Sequence, residues 1–443
     1  MVEKEIKRER LSGFQIGMVV AVFLICLIGA RLITIQNTPD EIARKLLSDW
    51  IYVHGKLPVG DEQEIVIPKW GFSYAYRPYL SAILAAAFMK LFSLFTDSRE
   101  LLLMGSRMCS VLSATACCYF CLKAGNVIFE KKALSILYTV IICFTPQMLF
   151  LGMYQNCDSL AAAGVAALIY CLAKGWRKGF SAWGCVGLGA AISVCLLSYY
   201  SIYGWLLAGG VVFLVALFKN KEIKAGEAFV KLGIIAFTII VLAGWFFIRN
   251  MILHNGDIFG MASEEISRQQ QAALGAYLTE YDNPYEKGMG FFETFFKGEY
   301  NWGWYTFKSM IGAFGYLSIW LDTWLYVLYA LLILLAIGGY VVFDMFVKKD
   351  NDRRQLSVFI ISSAVITVGL SVFQSYFRDF QAQGRYVITV VFAVGYMAAS
   401  ALEKIWAKKK ADNNVNYPAL ASIIIWLVLA VYVFVGYMTK MFY

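Results

Sequence analysis

The feature that most constrains this chain is the recurrence of long, nearly charge-free apolar runs. They occupy about 14–32, 79–95, 104–122, 133–151, 159–173, 180–197, 205–218, 232–247, 324–346, 356–373, 386–402 and 419–435. A bilayer core takes about 20 helical residues to cross, so several runs match it directly and the shorter ones need their neighbours to extend them. A helix crossing lipid bonds its backbone polar groups within its own length. The expectation is an all-α polytopic membrane protein. Its 16% charged and 60% hydrophobic residues fit nothing soluble, whose surface requires about a quarter charged residues.

The signs of the loops set the number of crossings. If every run spans, Lys131/Lys132 and Lys174/Arg177/Lys178 fall on the opposite side from the basic N-terminus (Lys4, Lys7, Arg8, Arg10). Taking 79–95, which contains Lys90 and follows Arg77-Pro78, as an interfacial helix restores parity. About eleven spans result, with the N-terminus cytoplasmic. Lys219, Lys221, Lys224 and Lys231, then Lys348, Lys349, Arg353 and Arg354, then Lys404 and Lys408 to Lys410 join the basic side. The expected organisation is one transmembrane domain: a module over 14–248 with an external loop at 33–103, an external loop with an interfacial helix at 249–322, and further spans over 323–443. Phe14 to Leu32 follows a basic stretch as a signal peptide would, but no small-residue cleavage site follows, and it reads as a retained helix.

The net charge of +9 is absorbed by this asymmetry and does not point to nucleic acid. The ten cysteines all precede residue 196, mostly inside apolar runs, and form neither a disulfide framework nor a zinc spacing.

Chemistry has room only in the external segments. After the first span, Thr38-Pro39-Asp40-Glu41 reads as a capping box, Thr38 being the N-cap and Glu41 its N3 partner. It opens a helix whose Ile42, Leu46, Trp50 and Val53, flanked by Leu47 and Ile51, form one apolar stripe. Capping and the helix dipole account locally for both acids. Asp158 heads a later span behind Asn156 as N-cap, where an acidic first turn is again sufficient. Arg249, Arg77 and Arg107 suit interfacial anchoring, and Arg385 sits beside Gly384 and Tyr386 at a helix entrance, as an anchor or as a guanidinium closing on an anion. His54 and His254 also fall outside; together with acids they leave a divalent metal open, although no ligand spacing supports one. Taken as a set, carboxylates and arginines at one membrane face suit proton abstraction from a hydroxyl while arginines hold a phosphate leaving group, and a lipid phosphate fits best.

The order of these phrases resembles the GT-C superfamily of integral-membrane glycosyltransferases, which includes protein O-mannosyltransferases and the lipid A aminoarabinose transferase. TPDE resembles its first-loop acidic motif, SYAYRPYLSAILAAAF the entry to a second loop helix, GMYQNCDSLAAAG the acid after a third span, and IRNMILHNGDIFG and QGRYVITV phrases of bacterial members. The resemblance implies Asp40 as acceptor-activating base with Glu41 supporting, Asp158 as second acid, and Arg77, Arg107, Arg249 and Arg385 with Tyr386, His54 and His254 as donor- or acceptor-binding residues. It implies inverting transfer of a sugar from a polyprenyl-phosphate donor to a hydroxyl on a cell-envelope glycan, lipid or protein, outside the cytoplasm. The chain departs from the pattern at Arg44, where many relatives carry histidine, and at Arg77-Pro78-Tyr79, where relatives often have two prolines. A transporter or flippase of lipid-linked saccharides is the alternative; it would place charges at mid-membrane rather than at one face. A non-catalytic scaffold would leave the acids without shared geometry.

Overall fold

A computed structural model describes residues 10–219, 224–346, 351–408 and 417–442. Of the basic loop residues named above, Lys4, Lys7, Arg8, Lys221, Lys348, Lys349, Lys409 and Lys410 lie outside them. The chain is helical almost throughout: α1 (Gly13–Leu32), α2 (Glu41–His54), α3 (Leu80–Phe92), α4 (Arg99–Ile128), α5 (Lys132–Cys143), α6 (Pro146–Leu151), α7 (Asp158–Lys178), α8 (Ala182–Ser198), α9 (Tyr203–Lys219), α10 (Ala225–Ile239), α11 (Trp245–Leu253), α12 (Met261–Ala273), α13 (Phe291–Phe296), α14 (Trp302–Gly312), α15 (Thr323–Tyr340), α16 (Asn351–Phe377), α17 (Val390–Lys408) and α18 (Tyr417–Gly436).

Eight helical segments among the described residues are long and apolar enough to cross a membrane. An eleven-span count needs α5 with α6, α8 and α17 as well. The loop helix α3 is 13 residues, about 20 Å at roughly 1.5 Å per residue, and so too short for an apolar core of about 30 Å. Among the described residues the departures from all-α structure are a two-residue ladder pairing Ala313 with Trp320 and Phe314 with Ile319, inside the 249–322 segment expected to hold an interfacial helix, and two isolated bridges, Ile33 with Phe442 and Ile67 with Phe72.

The spans show two faces of opposite logic. Along α1, Met18, Val22, Cys26 and Ala30 recur every fourth residue and are buried, whereas Phe14, Ile16, Val20, Leu24 and Ile28 are exposed. Large apolar residues outward and small ones inward is the pattern of helices solvated by lipid, because only close backbone approach brings attraction there. The bundle centre obeys it: Gly105 of α4 abuts the α3 backbone at Met89, Gly125 abuts Ser135 of α5, and Gly164 of α7 abuts Cys195 of α8. Helix α4 therefore packs against α1, α3, α5 and α7, with α3 laid across its start.

Candidate functional site

The capping box is not formed as expected. Helix α2 begins at Glu41, and Asp40 occupies the N-cap position with φ 56° and ψ 5°, making no side-chain cap bond. Thr38, instead of capping, places its hydroxyl 2.6 Å from Glu41 Oε2. The left-handed conformation costs a non-glycine residue energy that its surroundings must supply, and aspartate is among the few that tolerate it. Its consequence is directional, since Asp40 and Glu41 leave the chain toward different partners.

Glu41 turns inward. It is fully buried and paired with the equally buried Arg107: Nε donates to Oε1 at 2.8 Å and Nη2 to Oε2 at 2.6 Å. Arg107 Nη1 also donates to the carbonyls of Ala30 and Ile33 at the end of α1, both at 2.7 Å, and Gln155 N donates to Glu41 Oε1 at 2.7 Å. A buried pair with every arm occupied is a joint tying α1, α2, α4 and the turn before α7 together.

Asp40 turns the other way, to Arg385 Nη2 at 2.5 Å. Burial alone would raise its carboxyl pKa, but the Arg385 and Arg44 guanidiniums outweigh it and hold Asp40 below the usual carboxylate range. Arg385 reaches Asp40 because the Gly384–Val387 turn is pressed against α14: a Cβ on Gly384 would sit 1.9 Å from Met310 N, and Gly384 N donates to Ser309 Oγ at 2.7 Å. Gly384 serves this backbone contact and not an anion directly. Arg385 Nη2 also donates to Tyr386 at 3.2 Å, while Nε and Nη1 are buried without partners.

Arg44, one helical turn after Asp40, joins the same cluster. Its guanidinium lies over the Tyr74 ring at 4.9 Å and the Tyr199 ring at 5.8 Å, with Nε buried and unpartnered. Asp158, 2% exposed, points both carboxylate oxygens into the cluster without a partner, and the Tyr154 hydroxyl is likewise buried and alone. At its helix start the Asn156 side chain accepts from Ser159 N at 2.9 Å, so Asp158 is not needed as a cap.

Two clefts reach this cluster. One is lined by Arg44, Arg77, Tyr74, Tyr79 and Tyr199 with an apolar wall including Leu47 and Ala82. The other, smaller one is lined by Pro39, Gln147, Tyr154, Ser309, Leu317, Gln383 and Arg385. Arg77 enters the first cleft while bound to Glu264 through Nε at 2.5 Å and Nη2 at 2.8 Å. The remaining sequence candidates lie elsewhere. Arg249 Nη2 donates to the carbonyls of Leu57 at 3.1 Å and Pro58 at 2.7 Å, pinning the first loop. His54 stacks on Trp50 with its Nδ1 at the Trp50 carbonyl, and His254 stands edge-on to Tyr76. Neither histidine lines either of these two clefts.

The family model described as a predicted membrane protein, DUF2142, matches residues 63–394. The chain belongs to the DUF2142 family. No curated protein matches this DUF2142 member. Among solved structures it is similar to ArnT from Cupriavidus metallidurans bound to undecaprenyl phosphate, at 13% identity over 96% of this chain and 71% of ArnT, with a TM-score of 0.57. It is also similar to the archaeal oligosaccharyltransferase AglB from Archaeoglobus fulgidus in complex with an inhibitory peptide and a dolichol-phosphate, at 12% identity over 95% of this chain and 55% of AglB, with a TM-score of 0.51. The fold of this DUF2142 protein is that of the GT-C glycosyltransferases its sequence resembles.

Sequence reasoning passed over Arg44, Tyr74, Tyr154 and Tyr199 as site residues. A signal for Arg44 was present, since residues four apart share a helix face and adjacent ones do not. A divalent metal does not fit the cluster: its two carboxylates are interleaved with two guanidiniums. The one group of three histidine, cysteine or carboxylate ligands that converges among the described residues is Cys117, Cys121 and Cys143 in the bundle.

Proposed function

We propose that this protein transfers a sugar from a polyprenyl-phosphate-linked donor to a hydroxyl acceptor, at the extracytoplasmic face of the membrane and with inversion. The observation that carries the reading is the convergence of buried polar atoms without partners: Asp158 Oδ1 and Oδ2, Arg385 Nε and Nη1, and Arg44 Nε. Buried polar groups are bonded as a rule, so a cluster of exceptions around an aspartate in a strained conformation is prepared for a polar ligand. Undecaprenyl phosphate on ArnT and dolichol-phosphate on AglB, in proteins of the same fold, support a lipid phosphate as that ligand.

In this reading the donor's phosphate lies against Arg44 and the free arm of Arg385, and its chain leaves along the apolar wall of the larger cleft. The acceptor oxygen attacks the anomeric carbon. The bond from that carbon to the phosphate oxygen breaks with its electron pair retained by the polyprenyl phosphate, and the acceptor proton passes to Asp40. As phosphate engages Arg385, its hold on Asp40 weakens and the carboxylate becomes a stronger base. Asp158 keeps the guanidiniums oriented, and Glu41 with Arg107 holds the loop in place.

The test is binding of undecaprenyl phosphate to the purified protein in nanodiscs. Arg44→Gln and Arg385→Gln should each weaken it by about tenfold or more, whereas Arg249→Gln, at the loop joint, should not. Equal affinity in all three variants would remove the lipid phosphate from this cluster.

A further inference from the structure

The two clefts differ in chemistry, and the smaller one has a definable occupant. Resting on the transferase reading above, we propose that it is the acceptor subsite and that it takes a neutral sugar ring, recognised by Tyr154 and Gln147, in preference to a peptide or a charged headgroup.

The clefts share no lining residue. Two chain segments divide them: Pro39 faces the smaller cleft and Arg44 the larger, and Tyr154 faces the smaller while its neighbour Gln155 faces the larger. Asp40 belongs to the first dividing segment, and its partner Arg385 forms part of the smaller cleft's wall. A hydroxyl in the smaller cleft therefore approaches the base from the side away from Arg44 and Arg77. Attack from one side and departure of phosphate on the other is what inversion needs.

The lining defines the ligand class. Arg385 is the one charged residue lining the cleft among those described, and in the reading above its charge is taken up by Asp40 on one arm and the donor's phosphate on the other, which leaves none for an ionic acceptor. The rest offers amides and hydroxyls. Tyr154 is 0% exposed, lines the cleft and has no hydrogen-bond partner for its hydroxyl. Gln147, 4% exposed, has its Oε1 held by Ala313 N at 3.1 Å, which fixes the side chain and turns its NH₂ into a donor for something else. A directed donor, an unpartnered hydroxyl and a planar ring are the means of reading sugar hydroxyls. The rim of the cleft is set by Leu317, held at φ 56° in the turn between the two short strands. When the acceptor reacts, its oxygen gains the bond to the donor's anomeric carbon, its proton goes to Asp40, and polyprenyl phosphate leaves into the other cleft.

The proposal is tested by saturation-transfer NMR on the full-length protein in nanodiscs, with methyl glucoside, glucuronate and an Ala-Ser-Ala peptide as probes. Undecaprenyl phosphate binding is measured on the same samples. The parent should transfer saturation to methyl glucoside and not to the other two. Tyr154→Phe and Gln147→Leu should each weaken that binding by about tenfold, the contribution of one neutral hydrogen bond, with undecaprenyl phosphate affinity unchanged as proof of an intact fold. Preferential binding of the peptide or glucuronate, or glucoside binding indifferent to both variants, would overturn the assignment. Loss of undecaprenyl phosphate affinity in Tyr154→Phe would show that the smaller cleft holds the donor. Failure of the parent to bind undecaprenyl phosphate, with glucoside binding intact, would count against the donor reading and leave the sugar subsite standing.

Discussion

The Asp40 carboxylate and the Arg385 guanidinium meet at 2.5 Å although 345 residues separate them in the chain. Each arrives under constraint, Asp40 in a left-handed backbone conformation and Arg385 on a turn pressed backbone-to-backbone against α14. Their meeting joins the loop after α1 to the C-terminal half of the bundle and places the proposed base beside the proposed phosphate ligand.

Asp40→Asn separates conformation from chemistry. Asparagine tolerates a left-handed position as aspartate does, so the loop should keep its course. The side chain can no longer take a proton. Turnover in proteoliposomes should fall at least a hundredfold, within the roughly 10²–10⁴-fold range of general-base assistance, while undecaprenyl phosphate still binds. Near-parental turnover would exclude Asp40 as the base.

The pH profile carries the sign of the Asp40–Arg385 pair. Asp40's carboxyl is held below its ordinary value of about 3.9, so the base stays ionised and its dependent activity persists as pH falls toward that value. The pair likewise contributes stability that is fully present above the unfolded pKa and is lost as pH falls through the lower folded one. Arg385→Gln removes a principal lowering influence and leaves burial, which raises the pKa. The acid limb of the rate profile should move to higher pH in that variant. An unmoved limb would show that another group sets it.

Glu41 and Arg107 should behave as structural residues. Breaking the pair with Arg107→Met leaves a buried uncompensated carboxylate, and such losses cost about 3–5 kcal/mol. Glu41→Leu combined with Arg107→Met should recover part of that in thermal unfolding, because neither charge is then stranded. Turnover per folded molecule should survive in the double variant far better than in Asp40→Asn; equal loss would make Glu41 part of the chemistry.

Much of this was legible in the chain. The apolar runs marked an all-α membrane protein, and the order of short motifs pointed to its fold. Asp40, Asp158 and Arg385 were marked by their places after or before a span. What was hidden follows from direction rather than position. Asp40 and Glu41 are neighbours in sequence, and nothing in the letters says that a backbone reversal sends one to the cluster and the other to Arg107. The same loss of direction put Arg107 among interfacial arginines when it is 1% exposed. Arg249, His54 and His254 were grouped by a shared membrane side, which is a far weaker condition than a shared cavity. Tyr74, Tyr154 and Tyr199 carry no local signal at all, since an aromatic near a span end is equally a belt residue.

Membrane topology is testable on its own. A cysteine placed at Ser98, between α3 and α4, should be labelled by an impermeant maleimide from outside if α3 lies along the surface. The native cysteines are buried apart from the half-buried Cys171, so background labelling should be low. Protection of Ser98→Cys together with external labelling of Lys131→Cys would reverse the orientation proposed for the loop.

Gly384 offers the sharpest test of how the site is assembled. The three atoms nearest a methyl added there are all backbone: Met310 N at 1.9 Å, Met310 Cα at 2.3 Å and the Ser309 carbonyl carbon at 2.4 Å. No side chain can rotate away, so the turn must lift from α14, and the Gly384 N–H bond to Ser309 Oγ must lengthen or break. Arg385 is the next residue, and even about 1 Å of displacement at a group that must engage a phosphate in fixed geometry can cost on the order of a hundredfold. Gly384→Ala should therefore lower both undecaprenyl phosphate affinity and turnover while the bundle remains folded, since the spans themselves are untouched. Gly338, in the interior of α15 with nothing within 4 Å of an added methyl, is the matched control. There, alanine should be neutral or stabilising by up to about 1 kcal/mol, as expected when glycine in a helix is replaced. If Gly384→Ala behaved like Gly338→Ala, the turn would be free to move and Arg385 would not owe its position at Asp40 to the contact with α14.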